Sequence, residues 1–217
     1  MRSAKSAAMR DHWRRQKELH LVFVYRERVL LNMREFRVEM DERRIHVTMD
    51  GWDSVKTVVP NYTTCQPELA GQYKNFLKTK LTGVLVAGWK LILLRTFPWV
   101  KTGGNLAATA LVHSLCKYQK DHPDEPLPPS CSMLVDGGPE NVNKTFLGLC
   151  TWLVSMKVFQ TVDIHRLPVG HTHNGLDQRF QAPSVWLHGS DAHEARTPEE
   201  WIKTVRDKPT NKDSAIL

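Results

Sequence analysis

Three acidic residues, far apart in the chain, each fall where a predicted strand or helix ends or begins. Asp50 ends an alternating, β-branched segment, Asp136 ends an apolar one, and Asp177 falls in the first turn of a predicted helix. Three converging carboxylates repel one another, and a divalent cation such as Mg²⁺ or Mn²⁺ removes this penalty because it prefers oxygen ligands. Two such ions about 4 Å apart can activate an attacking oxygen and stabilise a leaving one in phosphoryl displacement. The acids therefore predict a two-metal site for phosphodiester chemistry.

Each acid also has a purely structural interpretation. Asp50 and Asp136 are both followed by glycine, and an Asp-Gly pair at the end of a strand is a common turn. Asp177 alone would be an ordinary helix residue. The metal-site hypothesis therefore depends on one fold bringing all three acids together.

Four further polar residues lie close to the acids in the sequence, and each has more than one open role. For His171 and His173 the alternatives are a zinc site, a contact to substrate or to Asp177, and a structural role in the loop. No cysteine cluster accompanies the two histidines. Glu140 is either an alternative metal ligand or a charge that favours the N-terminus of the next helix. Asn141 is predicted to cap that helix or, alternatively, to contact substrate.

The order of the predicted elements decides whether the acids can meet. The elements are a helix at 8–35, strands at 45–50, 81–87 and 90–97, a helix at 105–119, a strand at 131–136, a helix at 141–156, a strand at 161–166, and helices from about 175 and at 197–206. The second and third strands form a hairpin, and the later strands follow right-handed crossovers that make them parallel.

This order predicts a ribonuclease H-like α/β fold. Its five-stranded mixed sheet would have the order 3-2-1-4-5 and be flanked by helices, with a helical N-terminal extension. Asp50 and Asp136 would then emerge at one sheet edge, where ligands bind in open α/β sheets. The connection 51–79 is predicted to be a long loop, and loops of that length tend to be functional.

The positive charge of the chain is concentrated at its N-terminus. The net charge is +7, and residues 1–37 hold ten Lys and Arg against four acids, which leaves only +1 for the remaining 180 residues. A basic arm fits a polyanionic partner such as nucleic acid. The alternative is a solvated amphipathic helix. The residues predicted to bind nucleic acid are Arg10, Arg14, Arg15 and Lys17.

A chain of 217 residues with 41% hydrophobic content suits one domain of ordinary size with short extensions. We expect a basic helical extension at 1–40, the core domain at 41–190, and a C-terminal helix and tail at 191–217. No membrane span is predicted, since Lys90 interrupts the best apolar run. The N-terminus also lacks the apolar stretch of a secretory signal.

Four cysteines are widely spaced, with no C-x-x-C pair among them: Cys65, Cys116, Cys131 and Cys150. The last three lie in apolar runs and are predicted to be reduced core thiols of an intracellular protein, nuclear or cytoplasmic. The opening residues have the pattern of the middle of a helix, which indicates a piece of a longer protein.

Several segments together resemble a known group of proteins. They are Asp50-Gly51-Trp52-Asp53, Trp99-Val100-Lys101 with Gly104-Asn105, Asp136-Gly137-Gly138-Pro139-Glu140-Asn141, and Pro168-Val169-Gly170-His171-Thr172-His173 with Asp177. They resemble an uncharacterised eukaryotic domain family that looks like the catalytic core of a DDE-type transposase, within the retroviral-integrase superfamily. The resemblance covers about residues 45–190, and its most specific motif is G-H-T-H-x-x-x-D. The family tends to have Asn directly after the second acid, where this chain has Gly137.

The resemblance implies a divalent-metal-dependent core that cuts DNA and transfers strands, with Asp50, Asp136 and Asp177 as ligands of Mg²⁺ or Mn²⁺. DNA is the implied partner and a homo-oligomer is a further expectation, whereas no membrane and no small-molecule cofactor is expected. The alternative, from another class, is a catalytically inactive, domesticated or truncated module that binds nucleic acid or supports assembly. No DNA-reading domain, such as a zinc finger, is recognisable in these residues.

Overall fold

The computed structural model describes residues 2–39, 43–51, 57–60, 76–97, 99–135, 142–166, 176, 179–180, 195–207 and 215–216. The chain divides into two compact units, Met1–Asp41 and Glu42–Leu217. The first unit is formed by helix α1, Arg2–Glu39. This helix is longer at both ends than the predicted 8–35, and neither Gly nor Pro interrupts it.

The described residues of the second unit form a large sheet, a small sheet and three long helices, with further helical residues at 176 and 179–180. The strands of the large sheet are β1 Arg44–Gly51, β4 Lys80–Val86, β5 Leu91–Thr96, β6 Ser130–Val135, β7 Thr161–Arg166 and β8 Ala215–Ile216. The small sheet pairs β2 Val58–Val59 with β3 Leu77–Lys78. The helices are α2 Gly104–Asp121, α3 Lys144–Ser155 and α4 Pro198–Asp207.

Strand β1 lies inside the large sheet, whose order is β7-β6-β1-β4-β5-β8. It is antiparallel to β4 and parallel to β6, while β4 and β5 form an antiparallel hairpin and β7 is parallel to β6. The five strands expected from the sequence therefore lie in the order 3-2-1-4-5. This mixed α/β sheet is consistent with a ribonuclease H-like fold.

The structure adds short strands to the expected ones. The five expected strands of the large sheet are joined by a sixth, because β8 pairs with β5. The connection 51–79 is not a plain loop, because β2 and β3 pair within it. Each of these three strands has only two residues, which is too short for an alternating pattern to show in a sequence.

The two faces of the large sheet are covered by different helices. On one face, which we call the α2–α3 face, the core contains alternate residues of β1 together with Leu111 of α2 and Phe146 of α3. On the other, the α4 face, Leu81 and Leu93 of the hairpin share a core with Trp201 of α4. Both faces are thus buried where the β4–β5 hairpin lies.

The helix termini correct one prediction and confirm another. Asn143, not Asn141, caps α3, because its side-chain oxygen accepts a hydrogen bond from the N–H of Phe146 at 3.0 Å. Two asparagines lie two residues apart here, and the helix begins after the second. Glu140 therefore precedes the first turn of α3 rather than belonging to it.

The start of α4 follows the predicted capping pattern. The N–H of Glu200 donates to Thr197 Oγ1 at 3.2 Å, and Glu200 Oε2 accepts from the N–H of Arg196 at 2.8 Å. Pro198 occupies the first helical position, where its missing N–H costs nothing. The predicted start of α4 is confirmed, because Thr197, Pro198 and Glu200 each have the role that the capping pattern gives them.

An ionic and aromatic cluster joins the β4–β5 turn to the end of α2. Asp121 accepts hydrogen bonds from Lys117 and, at 2.7 Å, from Lys90, whose Nζ also lies 4.5 Å from the centre of the Trp89 ring. The hydrogen bonds from Lys117 and Lys90 lower the pKa of Asp121 to about 2. Trp89 packs edge-on against Tyr118 at 5.2 Å. The turn is therefore held to α2 by charge as well as by packing.

Candidate active site

Asp50 lies near the end of β1, with a hydrogen-bonded strand on either side. It is opposite Gly83 of β4, and the preceding Met49 is opposite Val135 of β6. Its carboxylate Oδ1 accepts a hydrogen bond from the N–H of Gly51 at 2.7 Å, and the side chain is half-buried. The backbone of this acid is therefore fixed from both sides while its carboxylate still reaches solvent.

The alternation of side chains along β1 assigns Asp50 to a face of the sheet. Ile45, Val47 and Met49 belong to the core of the α2–α3 face. Successive side chains of a strand point to opposite faces, so Thr48 and Asp50 belong to the α4 face. Any partner of the Asp50 carboxylate must therefore approach from the side of α4.

Asp136 itself lies outside the described residues, but the strand that leads to it is described. β6 ends at Val135, which is in parallel register with Met49. Met133 and Val135 belong to the core of the α2–α3 face. Val135, the residue before Asp136, therefore lies beside Met49, the residue before Asp50.

Asp177 also lies outside the described residues, and its described neighbours pack against Gly83, the residue opposite Asp50. Leu176, Arg179 and Phe180 are helical, as expected for a helix starting near residue 175. Leu176 and Phe180 are buried in the core of the α4 face. A side chain at Gly83 would place its Cβ 2.6 Å from Phe180 Cζ and 2.9 Å from Leu176 Cδ1. Leu176 and Phe180 thus pack against the glycine opposite Asp50.

The remaining predicted site residues, His171, His173, Glu140 and Asn141, lie outside the described residues as well. In the part of the chain that the structure describes, no group of three or more His, Cys, Asp and Glu is placed to hold a metal ion. That part contains only Asp50 of the three predicted ligands, so the Mg²⁺ or Mn²⁺ site stays a prediction. The carboxylate oxygens of Asp50 are the donor type that such hard cations prefer.

The buried thiols are chemically inert. Burial raises the pKa of Cys131 to about 12, with smaller contributions from Cys150 and Asp163, and burial raises the pKa of Cys150 to about 11. A thiol needs to be deprotonated to act as a nucleophile or a metal ligand, so these two have packing roles. The prediction that Cys116 is a core thiol is wrong, because its side chain is exposed on α2. It follows Leu115, and successive helix residues point about 100° apart.

The basic side chains of the N-terminal unit are exposed. Arg10, Arg14, Arg15 and Lys17 all lie on the solvent-accessible surface of α1, and Arg14 has an ion pair with Asp11 at 4.0 Å. They are available to a polyanion, and nucleic-acid binding by them stays a prediction. Among the described helices, none is long and apolar enough to cross a membrane.

Two features near this sheet edge were given no chemical role by the sequence, although Trp99 belongs to a segment that carries the family resemblance. One is Gly83, whose position inside a predicted strand is a signal of close approach by another element. The other is the exposed, stacked pair Phe97 and Trp99, which follows β5. Aromatic residues directly after a strand could have indicated a surface for recognition, because the strand itself no longer buries them.

Comparisons with known proteins identify a family and several structural neighbours. The model of the family described as Domain of unknown function (DUF7869) matches residues 70–215. No curated protein matches the chain. A solved Mos1 transposase paired-end complex with left transposon end is 15% identical, with a TM-score of 0.48 over 83% of this chain and 51% of that one. The Mos1 strand transfer complex is 13% identical, with a TM-score of 0.47 over 83% and 51%. The chain spans about half the length of these two structures.

Proposed function

We propose that this protein, which belongs to the family described as Domain of unknown function (DUF7869), contains a transposase-derived, metal-dependent core that cuts DNA and transfers its strands. The observation that carries the proposal is the surroundings of Asp50. Asp50 is a half-buried carboxylate at the end of an internal strand. On one side of it lies β6, the strand that leads to the second acid. On the other side lies Gly83, against which Leu176 and Phe180 pack, one before and one after the third acid in the chain.

Covalent geometry and strand register keep the three acids near one another. Consecutive Cα atoms are about 3.8 Å apart and neighbouring strands about 4.8 Å apart, so Asp136 cannot be far from Asp50 when Val135 is opposite Met49. Asp177 follows Leu176, which contacts Gly83 opposite Asp50. We propose that the three carboxylates face a common space at the end of β1.

In this site Asp50, Asp136 and Asp177 would hold Mg²⁺ or Mn²⁺, which supplies charge stabilisation to the oxygens around phosphorus when bound. The protein's own contribution is to fix the ligands. Asp50 is held by the backbone on both sides, and the packing of Leu176 and Phe180 holds the helix of Asp177. We assign His171 and His173 to orienting Asp177 or to contacting the DNA.

The exposed basic residues of α1 support DNA as the partner. They lie in a segment, residues 1–37, that carries a net charge of +6 out of the +7 of the whole chain. Such a concentration of charge attracts phosphates without regard to sequence. Localisation in the nucleus or cytoplasm and homo-oligomer formation belong to the same proposal.

The site is tested by melting the protein in chelator and in Mg²⁺. A cation that binds only the folded site stabilises it by about 2.7 kcal/mol at a hundredfold excess over Kd. We expect Mg²⁺ to raise the melting temperature of the wild-type protein. Asp50→Asn and Asp136→Asn should melt higher than wild type in chelator, because each relieves repulsion, and should respond little to Mg²⁺.

The matched control is Asp124→Asn, an exposed acid before β6, at the opposite edge of the sheet. Its melting temperature should respond to Mg²⁺ as wild type does. A site variant that is destabilised in chelator and keeps the full metal response would show that the acid is a turn residue. Plasmid nicking in Mn²⁺ separates the two functional classes: metal binding without nicking would support the inactive nucleic-acid-binding module.

A further inference from the structure

Phe97 and Trp99 form an exposed aromatic stack at the end of β5. Their ring centres are 4.6 Å apart and their planes differ by 4°. Trp99 is 73% exposed and Phe97 is 51% exposed. Since one face of the Trp99 ring is covered by Phe97, this high exposure leaves the other face open to solvent. A large flat apolar ring presented in this way is a recognisable binding surface.

The stack lies at the same edge of the sheet as Asp50. Gly51 pairs with Thr82 of β4, and Thr96, the last residue of β5, pairs with Lys80 of the same strand. β1 and β5 therefore run in the same direction and end at the same edge, with only β4 between them. Standard strand dimensions place Phe97 about 10 Å across the sheet and about 13 Å along it from Asp50.

The segment that carries the stack is fixed and has basic residues near it. Lys80 Nζ donates a hydrogen bond to the carbonyl of Val100 at 2.7 Å, which ties the chain after Trp99 to the start of β4. The guanidinium of Arg95 lies 5.7 Å from the centre of the Phe97 ring and forms an ion pair with Glu199 at 3.4 Å. Lys78 and Lys101 are exposed close by in the chain. The stack is therefore preorganised and has positive charge beside it.

We propose that the Phe97–Trp99 stack is a platform for an unpaired DNA base next to the cutting site, an inference that rests on the proposed function. Every base has a flat π face, so stacking on an aromatic ring needs no particular sequence. The nearby cations suit the phosphates on either side of such a base. An intact duplex offers its bases only edge-on, in the grooves, so the platform selects strands that are frayed, nicked or single-stranded.

The test compares two DNA ligands in chelator, where no cutting occurs. One is a blunt duplex, and the other is the same duplex with an unpaired overhang that carries a base analogue whose fluorescence is quenched by stacking. Binding of both by the full chain is followed by anisotropy of a distant label. We expect wild type to prefer the overhang and to quench the analogue.

Trp99→Ala should lower the affinity for the overhang about tenfold, within the range of about 5- to 150-fold known for removal of a stacking ring, and should abolish quenching. Its affinity for the blunt duplex should not change. Trp99→Phe should keep the quenching. The matched control is Trp152→Ala, which removes a 53% exposed tryptophan from α3 and should change neither affinity.

Two results would overturn the platform while leaving the proposed function in place. One is wild-type binding that is equal for the two ligands, and the other is an equal loss on both ligands in Trp99→Ala. If wild type bound neither ligand, the proposed DNA function would fail and the platform would fail with it. Preference for the overhang together with selective loss in Trp99→Ala would support the platform.

Discussion

Apart from the three acids, Gly83 is the residue that matters most for the geometry of the proposed site. It lies opposite Asp50, and the side chains of Leu176 and Phe180 occupy the space that a Cβ at this position would need. Glycine in the middle of a strand weakens the strand, since it contributes no side chain to the packing. Here the missing side chain lets another element come close. The acid and the glycine are thus two parts of one arrangement on neighbouring strands.

Gly83→Ala should therefore lower the free energy of unfolding by about 1–3 kcal/mol, as overpacking does. The new methyl group would stand 2.6 Å from Phe180 and 2.9 Å from Leu176, so the helix must move. Chemical denaturation measures the loss. The metal-induced rise in melting temperature should shrink in the same variant, because Asp177 moves with the helix.

Gly148→Ala on α3 is the matched control, because no atom lies within 4 Å of a Cβ at that exposed helical position. It should raise stability by up to about 1 kcal/mol, as removing glycine from a helix does. If Gly83→Ala were as harmless as Gly148→Ala, the close packing of Phe180 on Gly83 would be incorrect.

Residue patterns predict some of these positions and miss others for physical reasons. Asp50 is predictable at the end of β1 because an alternating β-branched segment ends there in a turn signal. The cap of α3 is misassigned to Asn141 because Asn143, two residues on, offers the same chemistry, and only the helix start distinguishes them. Cys116 is misassigned to the core because an apolar run does not show which residue of a helix faces outward.

At the scale of elements, Asp121 connects the β4–β5 turn to α2 through Lys90 and Lys117. The pKa of Asp121 is lowered from 3.8 to about 2. A carboxyl group with a depressed pKa in the folded state stabilises the protein fully above its unfolded pKa. This contribution is lost as the pH falls from about 4 through about 2. The group is exposed to solvent, so its contribution to stability is small and screened by salt.

Asp121→Asn should accordingly be less stable than wild type at neutral pH, and the difference should close as the pH falls towards about 2. Chemical denaturation over a pH series gives the difference directly, because the two proteins differ only in the group at residue 121. Added salt should also reduce the difference. If the difference in the free energy of unfolding between the two proteins stayed constant from neutral to acid pH, packing rather than charge would account for the effect of the substitution.

Element type and order are predictable because each long element has its own period and punctuation. The hairpin turn at Gly88, with a φ of 73°, and the capping pattern before α4 are local signals that a sequence displays. The pairs β2–β3 and β5–β8 are not predictable, since two-residue strands form only where the rest of the fold brings them together. The same holds for the candidate site. The sequence pattern predicts β1 and the position of Asp50 at its end, but it does not predict that Leu176 and Phe180 pack against Gly83.

At the scale of the whole molecule, residues 1–37 carry a net charge of +6 and lie in the unit Met1–Asp41, whereas the large sheet lies in the unit Glu42–Leu217. In the proposed function, the first segment attracts phosphates and the second unit positions the reacting groups. Attraction to phosphates falls steeply with salt because each neutralised phosphate releases a counterion, whereas the geometry of the sheet does not depend on salt. The two contributions can be separated by experiment.

Deleting residues 1–37 should make DNA binding weaker and less sensitive to salt. The slope of log affinity against log salt changes by roughly 0.9 for each phosphate of duplex DNA that the protein no longer neutralises. Replacing Arg10, Arg14, Arg15 and Lys17 by Gln in the full chain is the control that keeps the helix. It should reduce the slope by up to about 4. An unchanged slope in both variants would make α1 a structural element only.

The internal position of β1 has a consequence for how the protein folds. Its hydrogen-bonded neighbours are distant in the chain: His46 contacts Ser132 across 86 residues, whereas β4 and β5 are joined by a short turn. Closing a long loop costs more entropy than closing a short one, so distant pairings slow folding. We expect the β4–β5 hairpin to form early and β1 to join β6 late. The proposed ligands would then come together only near the end of folding, so that a divalent cation would find no assembled site on the unfolded chain.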